Sequence, residues 1–136
     1  MDANTKRIMH IRVKNTIKNL EANNMKAVYV ETKEEALTLV KSIVEKGAYT
    51  ATGGSMTLRE CGIYQYLETE TDLHTDAREA YGASYFLLSA NAITEHGEIF
   101  QVDGRSNRVS AMLFGPEKVI VVAGINKLVP SMRDAA

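Results

Sequence analysis

Ala83-Ser84-Tyr85-Phe86-Leu87-Leu88-Ser89-Ala90-Asn91 is the stretch on which the reading of this chain turns. Large apolar residues follow one another there without polar alternation. That pattern predicts a strand buried on both faces, as at the centre of a parallel sheet. Such a strand needs helices packed on each side of it, and the flanking sequence should supply them.

Upstream, residues 5–22 predict a helix with Met9, Val13, Ile17 and Leu20 as its apolar stripe. Lys26-Ala27-Val28-Tyr29-Val30 reads as a short strand. Thr32, with Glu35 three residues later, forms a capping box. The helix it opens buries Ala36, Leu37, Val40, Ile43 and Val44, and stops at Gly47. A strand at 48–52 runs into Gly53-Gly54-Ser55, and Thr57 with Glu60 offers a capping box for the next helix. Residues 68–79 are polar and acidic and read as a loop leading into a short helix.

Downstream, 89–97 is rich in turn formers, and a strand is expected at 98–102. Ser106 or Asn107 is placed to cap a helix that closes at Phe114-Gly115-Pro116. The last strand, Val119 to Ala123, leads to Gly124-Ile125-Asn126-Lys127. The switching between strand and helix periods is that of an α/β domain, and the length of 136 residues fits a single domain over 1–136.

Composition narrows the chemistry. One cysteine, Cys61, cannot form an internal disulfide, nor supply the thiolates of an iron–sulfur cluster or a four-cysteine zinc site. No apolar run approaches the ~20 residues that span a bilayer, and no charged-then-apolar leader opens the chain. A cytoplasmic protein is therefore expected. The net charge of -1 hides an uneven distribution: residues 1–50 carry 9 Lys/Arg against 6 Asp/Glu, and residues 51–100 carry 2 against 8. Lys6, Arg7, Arg12, Lys14 and Lys18 share the first helix, yet no aromatic residues interleave with them and an apolar stripe lies opposite. This is a solvated helix face, and neither nucleic acid nor membrane is expected as a partner.

Four polar, glycine-bearing clusters follow directly on predicted strands: Gly53 to Ser55, Ser89 to Thr94, Asp103 to Arg108 and Gly124 to Lys127. Ligands of open parallel sheets bind at the carboxyl ends of the strands, so these clusters are expected to meet in one crevice. Gly53-Gly54-Ser55 reads either as a close-approach turn for an anion or as a plain tight turn capped by Ser55 or Thr57. Arg105, Arg108 and Lys127 are the cations of these loops, suited to clamping an anionic ligand. Asn91, Asn107 and Asn126 repeat the placement, and their amides both donate and accept. His10, His74 and His96 have no metal-ligand spacing, so no metal is expected. His96 is the one histidine near the expected crevice, and Cys61 reads as a structural thiol beside Leu58 and Tyr64.

The runs Gly53-Gly54-Ser55-Met56-Thr57-Leu58-Arg59-Glu60, Ser89 through Gly97, Asp103 through Val109, and Phe114-Gly115-Pro116 through Lys127 together resemble the LUD domain of lactate-utilisation proteins, over roughly residues 5–136. The resemblance implies a three-layer α/β/α fold with a mostly parallel sheet, related to ribose-phosphate isomerase, glucosamine-phosphate deaminase and coenzyme A transferases. It also implies a role in L-lactate oxidation beside iron–sulfur partner subunits, with no cofactor of the chain's own. The segment from Tyr64 to Tyr81 is shorter than its family counterpart, where a further strand usually follows. A sheet edge is therefore expected to be missing or supplied by another subunit, and an unsatisfied edge favours a homo-oligomer.

The ligand-binding residues expected on these grounds are Gly53, Gly54, Ser55, Asn91, Thr94, Asp103, Asn107, Arg108, Asn126 and Lys127, around a small anionic metabolite. Where the related isomerases place an acidic residue this chain has Asn91, which cannot act as a base. Glu95-His96-Gly97 resembles the glutamate context of coenzyme A transferases. The alternative function is accordingly a coenzyme A transferase-like or sugar-phosphate-acting enzyme, with Glu95 as the catalytic nucleophile.

Overall fold

The computed structural model describes residues 2–103 and 107–135, with Asn107 described by its backbone alone. The elements run in the order α1 (Ala3–Ala22), α2 (Lys33–Ile43), β1 (Tyr49–Thr52), α3 (Met56–Glu60), α4 (Ile63–Glu70), β2 (Asp72–His74), a 3-10 turn at Glu79–Gly82, β3 (Tyr85–Leu88), β4 (Ala92–Thr94), β5 (Ile99–Phe100), α5 (Asn107–Leu113), β6 (Lys118–Val121), a 3-10 turn at Ile125–Lys127, β7 (Leu128–Val129) and α6 (Met132–Ala135). They form two compact units. One comprises the chain through Tyr29, Ala90–Gln101 and the chain from Gly124; the other comprises Val30–Ser89 and Val102–Ala123.

The second unit is a parallel sheet in the order β2-β1-β3-β6 with helices on both faces, giving the expected three layers. All four residues of β3 are buried, and they alternate. Tyr85 and Leu87 join Val40, Val44, Leu58, Ile63, Tyr66 and Leu67 from α2, α3, α4 and their flanks. Phe86 and Leu88 join Ala51, Ala80, Ala83 and Ala111 on the opposite face, under α5 and the first 3-10 turn. Each large side chain so buried stabilises the fold by roughly 1.5–3 kcal/mol. The small residues of the second core let α5 approach the sheet closely. Two tyrosines keep a polar handle satisfied: Tyr66 donates to the Val44 carbonyl at 2.7 Å and Tyr85 to Glu45 at 2.7 Å.

Local chemistry sets the helix ends. Thr32 caps α2 by accepting from the Glu35 N–H at 3.1 Å, while the Glu35 carboxylate reaches back to the Glu31 N–H at 3.2 Å. Ser55, rather than Thr57, caps α3 through the Leu58 N–H. Thr57 falls inside the helix because the chain turns at Gly54, whose φ of 71° belongs to the left-handed region.

The sheet differs from expectation at its edge. The acidic segment read as a loop contains β2, which pairs with β1 through Tyr49↔Asp72, Thr50↔Leu73 and Ala51↔His74. The strand predicted at 26–30 does not form; Val28 and Tyr29 are exposed, and among the described residues no partner strand receives them.

In the first unit β5-β4-β7 forms a small mixed sheet, antiparallel between β4 and β5 and parallel between β4 and β7. Neither β4 nor β7 was expected, and the strand predicted at 98–102 is shorter and lies here. Asp2 caps α1 by accepting from Thr5 at 2.8 Å. The β4–β5 turn is fastened to α1: Asn19 donates to the Glu95 carbonyl at 2.7 Å and Asn23 to the Gly97 carbonyl at 2.9 Å. Among the described residues no helix is long and apolar enough to cross a membrane.

Candidate functional site

Within the parallel-sheet unit the structure brings two of the expected clusters together. Gly53 follows β1 and still donates to the Leu87 carbonyl at 3.1 Å, so it stands at the carboxyl edge of the β1–β3 pair. The aliphatic stem of Arg108, from the first turn of α5, lies directly over it. A Cβ on Gly53 would fall 2.8 Å from Arg108 Cγ, 2.9 Å from its Cδ and 3.3 Å from Leu88 Cβ. A side chain at position 53 would therefore force the arginine stem to shift.

Arg108 is held from behind. Its Nε donates to Asp103 Oδ1 and its Nη2 to the Val102 carbonyl at 2.9 Å. Asp103 also accepts from the Val109 N–H at 2.7 Å, which anchors the start of α5. The Asp103 side chain is 2% exposed and that of Arg108 28%, so the carboxylate is enclosed while the guanidinium reaches solvent. Among the described residues nothing accepts from Nη1. A guanidinium fixed at Nε and Nη2, with Nη1 unclaimed among the described residues, is suited to donate to a carboxylate or phosphate.

The remaining expected residues divide between the units. Gly54 is exposed and Ser55 partly buried, and the Ser55 hydroxyl serves as the α3 cap. Asn107 lies on the first turn of α5, and its side chain is outside the described residues, as are Arg105 and Ser106. In the mixed-sheet unit, Asn91 and Lys127 stand immediately ahead of the paired strands β4 and β7. Asn91 is exposed, Lys127 partly exposed, and Asn126 exposed beside Gly124. Thr94 has no exposed surface, and its hydroxyl donates to Glu98 Oε1 at 2.8 Å while accepting from the Glu98 N–H. It locks the β4–β5 turn and presents nothing to a ligand.

Glu95 is also engaged. Its carboxylate accepts from Arg12 Nε at 2.9 Å on α1, with side chains 31% (Arg12) and 26% (Glu95) exposed. An ion-paired carboxylate is a poorer nucleophile than a free one, because its charge is already shared with the guanidinium. His96 is exposed, and its carbonyl takes a 3.4 Å contact from Asn23.

Sequence reasoning passed over a second cluster in the parallel-sheet unit. His74 on β2 is bonded at Nε2 to Asp72 at 3.0 Å and at Nδ1 to Glu79, with the Tyr49 ring 4.2 Å away and the Tyr49 hydroxyl on the Glu79 carbonyl. The hydrogen bond to Asp72, then that to Glu79, raises the His74 pKa above its ordinary value. A histidine flanked by two carboxylates is a charged clasp, and the pair of acids at spacings of two and five residues was the available signal. Cys61 ends α3 partly buried against the first core; burial pushes its thiol pKa up, which disfavours the thiolate. Among the described residues no group of three His, Cys, Asp or Glu side chains is arranged to hold a metal ion. An open groove of about 400 Å³ lined by Lys6, Arg7, His10, Ile11 and Lys14 belongs to one helix, α1, with no second element to close it.

The family model of the LUD domain matches residues 13–136, which takes in the Gly53 turn, the Arg108 helix and both sheets. The chain belongs to the LUD domain family. Neither the curated proteins nor the solved structures contain a significant match.

Proposed function

We propose that this LUD-domain protein binds a small anionic metabolite at Arg108 and supports L-lactate oxidation beside iron–sulfur partner subunits. The observation that carries the binding reading is the partly exposed guanidinium, fixed by Asp103 and the Val102 carbonyl above Gly53 at the carboxyl edge of the sheet. The lactate connection rests on family membership. The chain has a single cysteine, so its partners would carry the clusters.

Thermal melts in L-lactate, a sugar phosphate and a nucleotide test the binding, because a ligand of the folded state raises Tm by mass action. At least one of these anions is expected to raise Tm. Arg108→Gln should abolish that rise. A flat response across all three, or one that Arg108→Gln leaves intact, contradicts the assignment. Purification from the native source, followed by iron and sulfide analysis of what accompanies the chain, tests the partner half.

A further inference from the structure

The parallel sheet has two edges, and they are built differently. At one edge β2 is three residues long, and the Asp72 N–H bonds the Ala48 carbonyl. With a period of two, residues 72 and 74 face β1, so only Leu73 turns its backbone groups outward. Asp72 and His74 with Glu79 crowd charge onto that rim. Short strands and charge are the usual protection of an edge against further pairing.

At the other edge β6 is four residues long and carries its one charge, Lys118, at its start. The Lys118 N–H donates to the Ser84 carbonyl at 3.0 Å and the Val122 N–H to the Leu88 carbonyl at 2.8 Å. Residues 118, 120 and 122 therefore face β3, and Val119 and Val121 turn their N–H and C=O groups away from it. Among the described residues no strand pairs with that side. The side chains of Lys118 through Val121 read Lys-Val-Ile-Val, a strongly strand-forming run.

We infer that β6 is a self-pairing edge, where a second copy of this chain adds its own β6 antiparallel about a two-fold axis. The sequence is self-complementary in that register. Val119 of one copy exchanges both backbone hydrogen bonds with Val121 of the other, and the reverse, while the two Ile120 residues stand directly opposite on the axis. Lys118 then faces Val122 of the second copy. The two Lys118 residues are four residue rises apart, about 13 Å, beyond the screening length of ~8 Å at physiological salt. Lys118 is also drawn over its own Tyr85 ring, 5.9 Å from the centroid. On one face Ile120 and Val122 already pack on the first core, and on the other Val119 and Val121 pack on the second. Pairing would thus run both cores across the two-fold axis. The inference is independent of the anion site.

Sedimentation velocity over a range of protein concentrations tests it on the full chain, with Val119→Pro as the variant. Because the Val119 N–H is not used within the unit, proline there removes an outward donor without breaking the β3–β6 ladder. The native chain is expected to sediment as a dimer at high concentration, and folded Val119→Pro as a monomer. Should Val119→Pro fail to fold, hydrogen exchange in the native chain decides, since the Val119 and Val121 amides must gain protection as concentration rises while the Leu73 amide does not. A native chain that is monomeric throughout, a dimer that survives in folded Val119→Pro, or concentration-independent exchange at 119 and 121 each overturns the proposal.

Discussion

Arg108 and Gly53 are 55 positions apart in sequence, and each explains the other: the arginine stem occupies the space where a side chain on Gly53 would sit. Gly53→Ala is accordingly predicted to displace Arg108 and cost about 1–3 kcal/mol, as overpacking does. Urea unfolding would register the loss, and the anion-induced rise in Tm should fall with it. Asp103 was legible in the sequence as a polar residue after a strand, but its role as the enclosed holder of Arg108 was not, because that depends on burial. Thr94 and Glu95 show the reverse. Their residue types suit a site, yet Thr94 is taken up within its own turn by Glu98, and Glu95 by Arg12 on α1. At His74 the prediction concerns pH. Its pKa is raised in the fold, chiefly by hydrogen bonding to Asp72, so its stabilising effect is full below the ordinary value of about 6.5 and is lost as pH rises through the higher folded value. Melts between about pH 6 and pH 9 should show Tm falling more steeply in the native chain than in His74→Asn. Parallel curves would mean the clasp does not form.

At the scale of elements, the segments read correctly are those whose signal is local. Tyr85-Phe86-Leu87-Leu88 declared itself because a strand buried on both faces has no polar alternation, and α2 because Thr32 and Glu35 cap it within four residues. Replacing the Thr32 hydroxyl in Thr32→Ala is expected to cost about 1 kcal/mol, measurable by urea unfolding. β2, β4 and β7 were illegible: strands of two or three residues carry too few side chains for a period, and their pairing partners, not their composition, make them strands. The run 26–30 is the complement, β-rich in composition but, among the described residues, without a strand to pair with. The β4–β5 turn gives the firmest prediction of this class. Gly97 has φ of 84°, and a Cβ there would lie 2.5 Å from the Asn19 carbonyl carbon on α1. Gly97→Ala is therefore expected to cost well over 1 kcal/mol, with a large fall in Tm as the readout.

Across the whole molecule, the α/β class was readable from the alternation of strands and helices, and the LUD family from the resemblance carried by the runs at 53–60, 89–97, 103–109 and 114–127. The division into a parallel-sheet unit and a mixed-sheet unit was not, since both are assembled from segments far apart in sequence. That division sorts the expected site residues: Gly53, Asp103 and Arg108 meet in one unit, while Asn91, Asn126 and Lys127 belong to the other. The functional account therefore centres on the guanidinium of Arg108, and nuclear magnetic resonance of that group tests it most directly. Titrating the anion that raises Tm, with the Arg108 Nε–Hε resonance observed, should give a saturable shift with a midpoint matching that of the thermal response. An Arg108 resonance that stays fixed while the protein is saturated with that anion would contradict the account.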